Sequence, residues 1–216
     1  MVILPQSLQP SSRLPLRPTV ASHPAPEPSA LALAPSALEH SALETLAIAF
    51  FQHSTGSWRS RRRYYTLAND ETQEVVSDIT VHFLAEGHEA LLSLGEKHEL
   101  SVPMIFGARV TWESTYLSPS RKPSVGSTVF GIRADVMYRD RGFATPKPVT
   151  ARYKFKDAQT MTLRTEYGGS VFEEELKLIG SNYRTRQTLI SRAGEEIMIG
   201  QYLEKRILDS ATSSCE

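Results

Sequence analysis

Three short strings carry the groups able to do chemistry. "SWRSRRRYYTL", residues 57–67, sets four arginines in the five positions 59–63 beside Trp58, Tyr64 and Tyr65. "SNYRTRQTLIS" places Arg184 and Arg186 two apart, and "RTEYGGSVFEEELKLIG" holds Glu166 and the run Glu173, Glu174, Glu175. Fixed positive charge at that density serves a nucleic-acid stripe, a solvated face, or one wall of an anion pocket. Two arginines on one strand face form a fork that matches a carboxylate. A carboxyl group in a partly apolar site has its pKa raised by desolvation, which suits a proton donor.

Composition narrows these options. The 216 residues carry 24 Lys and Arg against 24 Asp and Glu, a formal net charge of zero. The bulk field of a dedicated nucleic-acid binder is therefore missing, and the arginine cluster is a local feature. The only cysteine, Cys215, lies in "DSATSSCE", so neither a disulfide framework nor a cysteine metal site can be drawn. The six histidines form no H-E-x-x-H set, no Gly-rich phosphate loop occurs, and no G-x-S-x-G elbow is present. No metal site is expected. No apolar run reaches the length of a membrane span, and the expectation is a soluble protein in a reducing compartment.

The elements that must position these groups follow from periodicity. Residues 1–35 hold eight of the thirteen prolines, which predicts a disordered leader, either a plain extension or a transit segment. Ser36 followed by Glu39, ahead of Leu43, Leu46, Ala47, Phe50 and Phe51, predicts a capped amphipathic helix stopped by Gly56. Residues 87–100 suggest a second, short helix. The rest reads as about ten strands, from Ser60–Leu67 through Ser170–Ile179 to Glu196–Leu208. With no long helices between them, neighbours join as hairpins. The fold class is mainly β: a ten-stranded antiparallel up-and-down barrel, lipocalin-like or fatty-acid-binding-protein-like, with an N-terminal helix and one short inserted helix. A two-sheet sandwich is the alternative. The domain runs over residues 36–208, with a disordered tail at 209–216.

Period-two alternation assigns faces. Trp58, Ser60, Arg62 and Tyr64 share one face of the first strand, and Arg59, Arg61, Arg63 and Tyr65 the other. Packing three charges into one wall would cost several kcal/mol each without partners, so the row of three faces solvent and Arg62 faces inward. Arg184 and Arg186 point the same way, into an acid-binding interior or onto a salt-bridged outer face. Alternation sets Glu173 and Glu175 with Lys177, and Glu174 with Leu176 and Leu178. The residues alone thus describe a β-barrel for an elongated anionic ligand held among arginines and aromatics.

The strings "FFQHSTGSWRSRR", "FGARVTW", "GSTVFGI", "RDRGFATPKPV", "LRTEY", "FEEEL" and "NYRTRQT", in this order from about Phe50 to Ile207, resemble the S-type phycobilin lyases of the CpcS/CpeS family, including the CpcU/CpeU subfamily. The resemblance implies a barrel that takes up an open-chain tetrapyrrole, phycocyanobilin or phycoerythrobilin, as substrate, with no permanent cofactor. It implies transfer of that bilin to a cysteine of a phycobiliprotein subunit (phycocyanin, allophycocyanin or phycoerythrin) by thioether formation. The nucleophile is then the acceptor's thiol, and the barrel needs no cysteine of its own. A non-catalytic bilin carrier and a fatty-acid carrier are the competing readings. Carried over by motif, the W-x-S-x-R arginine falls on Arg62 and the R-x-R pair on Arg184 and Arg186. The tryptophan after A-R-V-T falls on Trp112, with Arg109, Tyr64 and Tyr116 beside the bilin, and the E-E carboxylate falls on Glu173. The resemblance implies catalytic roles for Arg62 and Glu173, the latter as acid or pyrrole-nitrogen partner. The sequence departs from the family at Tyr65 and Thr66, where many members carry a His-His pair, and at Ser118 and Lys177, where tryptophans are expected. Those changes thin the aromatic lining and fit a subunit that works with a CpcS-like heterodimer partner. The cyanobacterial cytoplasm is the expected location, with the plastid stroma as alternative; neither nucleic acid nor membrane is an expected partner.

Overall fold

The computed structural model describes residues 37–118 and 121–208. The expected leader, the Ser36 cap with the Glu39 side chain, and the tail lie outside the described residues. Helix α1 (Ala37–Ser54) leads into β1 (Gly56–Thr66) and β2 (Glu71–Ala85), and α2 (Glu89–Lys97) follows. Then come β3 (Phe106–Tyr116), β4 (Ser124–Arg133), β5 (Val136–Arg139), β6 (Val149–Asp157), β7 (Thr160–Tyr167), β8 (Ser170–Ile179), β9 (Tyr183–Arg192) and β10 (Glu195–Arg206). Every strand pairs with its sequence neighbours, and β1 pairs with β10, so the sheet is a closed antiparallel barrel. The expected fold class holds, and the sandwich is excluded, because closure leaves no sheet edge to cover. Among the described residues no helix is long and apolar enough to cross a membrane.

Alternation explains the walls. In β1 the inward residues Trp58, Ser60, Arg62 and Tyr64 are buried, while Arg59, Arg61 and Arg63 are exposed. One end of the barrel is filled by α1. Its Ala47, Phe50 and Phe51 pack among Trp58, Ile79, Phe106, Ile132, Tyr153 and Met161, with Phe50 edge-on to Phe155 and Phe51 edge-on to Phe106. The helix is tied down at its middle and at its C-terminus. Glu44 accepts a hydrogen bond from the Ala134 amide in the β4–β5 turn. The Trp58 indole donates to the Ser54 carbonyl at 2.9 Å, and Arg206 donates to the carbonyls of His53 and Thr55. Those carbonyls are the ones a helix C-terminus leaves without internal partners.

Helix α2 lies outside the barrel, with Leu91 and Leu94 packed on Met104 and Leu84. Two glycines make that approach possible: Gly107 and Gly131 face each other across β3 and β4. A Cβ on Gly107 would lie 2.5 Å from Leu91 Cδ2, and one on Gly131 1.9 Å from Met104 Sδ. The end of the barrel opposite α1 carries a second apolar cluster of Tyr64, Val75, Phe172, Ile190, Met198 and Tyr202.

Candidate functional site

Between the α1 plug and that second cluster the interior is polar. Arg62, Arg139, Arg184, Glu174 and Glu204 are buried there, among Ser60, Ser77, Ser114, Thr128, Thr165 and Thr188. The Arg186 guanidinium joins them through an ion pair with Glu174. Register builds the cluster: Arg62 of β1 pairs with Tyr202 of β10, which pairs with Arg186 of β9. One step toward α1, Ser60 pairs with Glu204 and Glu204 with Arg184. The Tyr202 ring therefore lies between two cations, 5.6 Å from the Arg62 guanidinium and 5.3 Å from that of Arg186.

Two ion-pair centres organise the charge. Glu174 is bracketed by Arg186 and by Arg139, whose Nη1 is 3.3 Å away. Arg184 pairs with Glu204 and lies over the Trp58 ring at 4.5 Å. Burial alone would raise both carboxyl pKa values. At Glu174 the charges of Arg186 and Arg139 outweigh burial and hold the group below the ordinary carboxylate range. At Glu204 the charge of Arg184, followed by that of Arg62, brings it down to about 2. Burial pushes the Tyr202 phenol well above its ordinary value, aided by Tyr64. Among the described residues the interior thus holds two carboxylate anions and four guanidinium groups enclosed in low dielectric. Charges so enclosed are costly unless partners or a ligand neutralise them. Several polar atoms here, Trp112 Nε1, Arg139 Nε, Arg186 Nε, Thr165 Oγ1 and Thr188 Oγ1, have no hydrogen-bond partner among the described residues, a pattern that marks a binding site more often than a plain core.

Most sequence-derived site residues come together. Arg62, Arg184, Arg186, Trp112 and Tyr64 are inward, and Tyr116 is inward and half-buried near the open end. Trp112 fits because its strand neighbour is Gly126, where a Cβ would lie 2.2 Å from the indole. Two residues need correction. Arg109 falls between the inward residues Ala108 and Val110 only in sequence: alternation turns it outward, on the wall that carries α2. Glu173 is also outward, 48% exposed at its side chain and paired with Arg164 at 2.7 Å. The inward carboxylate is its neighbour Glu174, and that group is ionised, where a protonated donor was expected. The departures at Tyr65 and Lys177 likewise sit on the outer wall, so they leave the lining intact. Sequence reasoning missed Arg139, Tyr202 and Glu204. Tyr202 and Glu204 share the parity of Arg206 on β10, a signal masked by Leu203 between them.

Space is distributed unevenly. Inside, a cavity of about 70 Å³ remains, lined by Phe50, Phe51, Arg139, Glu174, Arg184 and Arg186. At the open end a pocket of about 460 Å³ lies between residues 144–149 and Tyr167, Phe172, Ile190, Arg192 and Ile197. The β5–β6 connection covers it: Phe143 stacks on Phe172 at 5.1 Å, lies 4.5 Å from the Arg139 guanidinium, and is followed by Ala144, whose amide donates to the Tyr167 hydroxyl. Among the described residues no group of three His, Cys, Asp or Glu side chains could hold a metal ion.

The depressed carboxyl pKa values carry a pH prediction. Both glutamates bind fewer protons folded than unfolded, so the stability they contribute is fully present above the unfolded value of about 4.3. It is lost as pH falls through the folded values, about 2 for Glu204. Thermal unfolding should be nearly flat from about pH 7 to 5 and then lose a few kcal/mol between about pH 4 and 2. Glu204→Gln should be less stable at neutral pH, because Arg184 is left buried beside a neutral group, and should lose much of the acid slope. A slope unchanged in that variant would assign the acid transition to other carboxylates.

A family model described as CpeS-like protein matches residues 47–207. A Nostoc sp. protein named as a candidate phycocyanobilin lyase, CpcS 2, is 60% identical over 167 residues, covering 76% of this chain and 93% of its own. A Picosynechococcus sp. protein named as a candidate chromophore lyase, CpcV, is 52% identical over 162 residues, covering 74% and 80%. The solved S-type phycobiliprotein lyase CPES from Guillardia theta superposes with a TM-score of 0.64 at 23% identity, covering 76% of this chain and 93% of that one. At that identity the likeness is one of fold.

Proposed function

This chain belongs to the CpeS-like protein family, and on that premise we propose that its barrel is a phycobilin lyase. It binds an open-chain tetrapyrrole as substrate and attaches it through a thioether bond to a cysteine of a phycobiliprotein subunit. The observation that carries this reading is the cluster of Arg139, Arg184 and Arg186 around Glu174 and Glu204, set among aromatic rings inside the barrel. A bilin offers two propionates for the arginines and a flat conjugated body for the rings.

The geometry supports the following roles. Arg184 and Arg186 take the propionates, and each then exchanges a glutamate partner for a ligand carboxylate. Trp112, Tyr64 and Tyr202 stack on the conjugated body, and Arg62, beside Tyr202, orients it. Glu174, ionised, accepts from pyrrole N–H groups and favours the protonated bilin, whose ring A ethylidene is the more electrophilic towards a thiolate. The role first given to Glu173 passes to Glu174 on grounds of burial. An interior cavity of about 70 Å³ has room for a few waters at most, whereas ligands of this class occupy pockets of roughly 300–1,000 Å³. Loading therefore starts in the 460 Å³ pocket at the open end and proceeds as Phe143 lifts from Arg139 and Phe172. Phycocyanobilin is favoured over phycoerythrobilin because the Nostoc relative is named for the former. A cyanobacterial cytoplasm as the compartment and a CpcS-like heterodimer partner are part of the same proposal, supported by the cyanobacterial relatives.

The test is co-expression with a bilin-producing pathway and candidate phycobiliprotein subunits, with and without a CpcS-like partner. Covalent adduct is read by zinc-induced fluorescence on a denaturing gel. Adduct with this chain alone establishes a self-sufficient lyase, and adduct only with the partner makes it a subunit. Coloured protein without adduct overturns the lyase reading in favour of a carrier.

A further inference from the structure

The arginine row that faces solvent has no part in the interior. Arg59 pairs with Asp78 at 3.3 Å, and Arg63 pairs with Glu74. Arg61, between them, makes no hydrogen bond or ion pair among the described residues, and register seats it between Leu203 of β10 and Val76 of β2. Leu203 is 52% exposed, and Leu117, which lines the same shallow depression as Arg61 and Val76, is 61% exposed. Two steps nearer the open end, beyond Arg63 and Gln201, Tyr65 faces Ile199. A barrel wall that met only water would carry polar side chains at these alternate positions. An apolar patch around an unpaired cation marks a recognition surface.

Its place on the barrel says what it recognises, given the lyase reading above. The acceptor's thiol must reach ring A of a bilin held inside. Helix α1 fills one end, so the thiol arrives at the other, and the patch runs up to that rim, where Leu67 is 41% exposed. The acids of this wall, Asp78 and Glu74, are already engaged by Arg59 and Arg63. A second copy that met this wall with the same wall, as a two-fold dimer does, would therefore bring no free carboxylate to Arg61. We propose that the β10–β1–β2 wall, centred on Arg61, Leu203 and Leu117, docks the acceptor phycobiliprotein subunit, which presents a carboxylate ringed by apolar side chains.

The experiment compares the unchanged protein with Arg61→Glu and Leu203→Asp in three measurements: bilin uptake by visible absorbance, association with bilin-free acceptor by sedimentation, and transfer as a function of acceptor concentration. The expected result is bilin uptake within twofold of the unchanged protein, acceptor association weakened at least tenfold, and a KM for acceptor raised by the same factor with kcat retained. Acceptor association unchanged in both variants overturns the proposal, as does parallel loss of bilin uptake, which would assign the wall to the barrel's integrity. A dimer of the unchanged protein that both variants dissolve, with acceptor association intact, makes a second copy the occupant and also overturns it. If the unchanged protein forms no adduct at all, the lyase reading fails. The sedimentation arm still decides whether this wall binds the acceptor.

Discussion

The double replacement Arg184→Met and Arg186→Met is expected to weaken bilin binding by about 10²–10⁴, with the barrel still closed. Each charge-assisted hydrogen bond to a propionate contributes about 1.5–3 kcal/mol, and two of them give that range. Methionine suits the site because it fills the arginine stem's volume and adds no unpaired donor. The remaining partners limit the damage to the fold: Glu174 retains Arg139 at 3.3 Å, and Glu204 lies within the field of Arg62. Circular dichroism verifies closure, and absorbance titration with bilin reads affinity. Affinity unchanged in a folded double variant would remove both arginines from the site. Arg186→Met alone should account for about half the free-energy loss, because the two arginines meet different carboxylates.

Glu174→Gln should lower transfer to acceptor by about 10²–10⁴, the usual range for a group that manages a proton at the reacting centre, while Glu173→Gln changes it less than twofold. The pair is informative because the residues are adjacent in sequence and opposite in environment. Glu173 reaches Arg164 in solvent, where an exposed ion pair is worth about 1 kcal/mol or less. Glu174 is ion-paired inside the barrel with both Arg139 and Arg186. Bilin bound to the Gln variant should also lose the long-wavelength absorption of its protonated form. Neutralising Glu174 leaves Arg139 and Arg186 facing each other, which destabilises the unliganded barrel by about 3–5 kcal/mol. The double variant Arg139→Met with Glu174→Gln removes that repulsion and separates a folding effect from a chemical one. If transfer in the double variant matched the unchanged protein, Glu174 would have no part in chemistry.

The barrel was legible because its strands obey the period of two over long runs. The β8 range read from sequence, Ser170–Ile179, is the observed one, and Arg62 was placed inside by the same alternation. What escaped was the consequence of a polar interior. In β10 the order Tyr202, Leu203, Glu204, Lys205 tempts a reader to turn Leu203 inward, yet the hydrophobic residue is outside and the glutamate inside. Hydrophobicity assigns faces only when the buried face is apolar, and a barrel built around an anionic ligand inverts the rule at its middle. Glu174 shows a second limit. Alternation sets it with Leu176 and Leu178, the face that the structure turns inward, whereas motif matching within a run of three glutamates falls on Glu173, one position away and outward. Arg139 was hidden by brevity, since β5 has four residues, too few for a period to show, and it stands between Asp140 and Tyr138.

Closure of the ring joins residues far apart in the chain, as in the hydrogen bond from Arg206 to the Thr55 carbonyl across 151 positions. Hairpins from β1 to β9 form between neighbours as the chain emerges during synthesis, but the seam waits for β10. Until then the sheet has two open edges, one of them β1, and an open edge is a template for another chain. Native topology of this kind folds slowly and is exposed to aggregation on the way. Production of the protein should therefore depend more on temperature and chaperone supply than its final stability suggests. The charge on β1 helps here: with Arg59 and Arg63 engaged by Asp78 and Glu74 of β2, Arg61 remains on the edge that stays open longest, and repulsion between two such cations opposes edge-to-edge pairing of nascent copies.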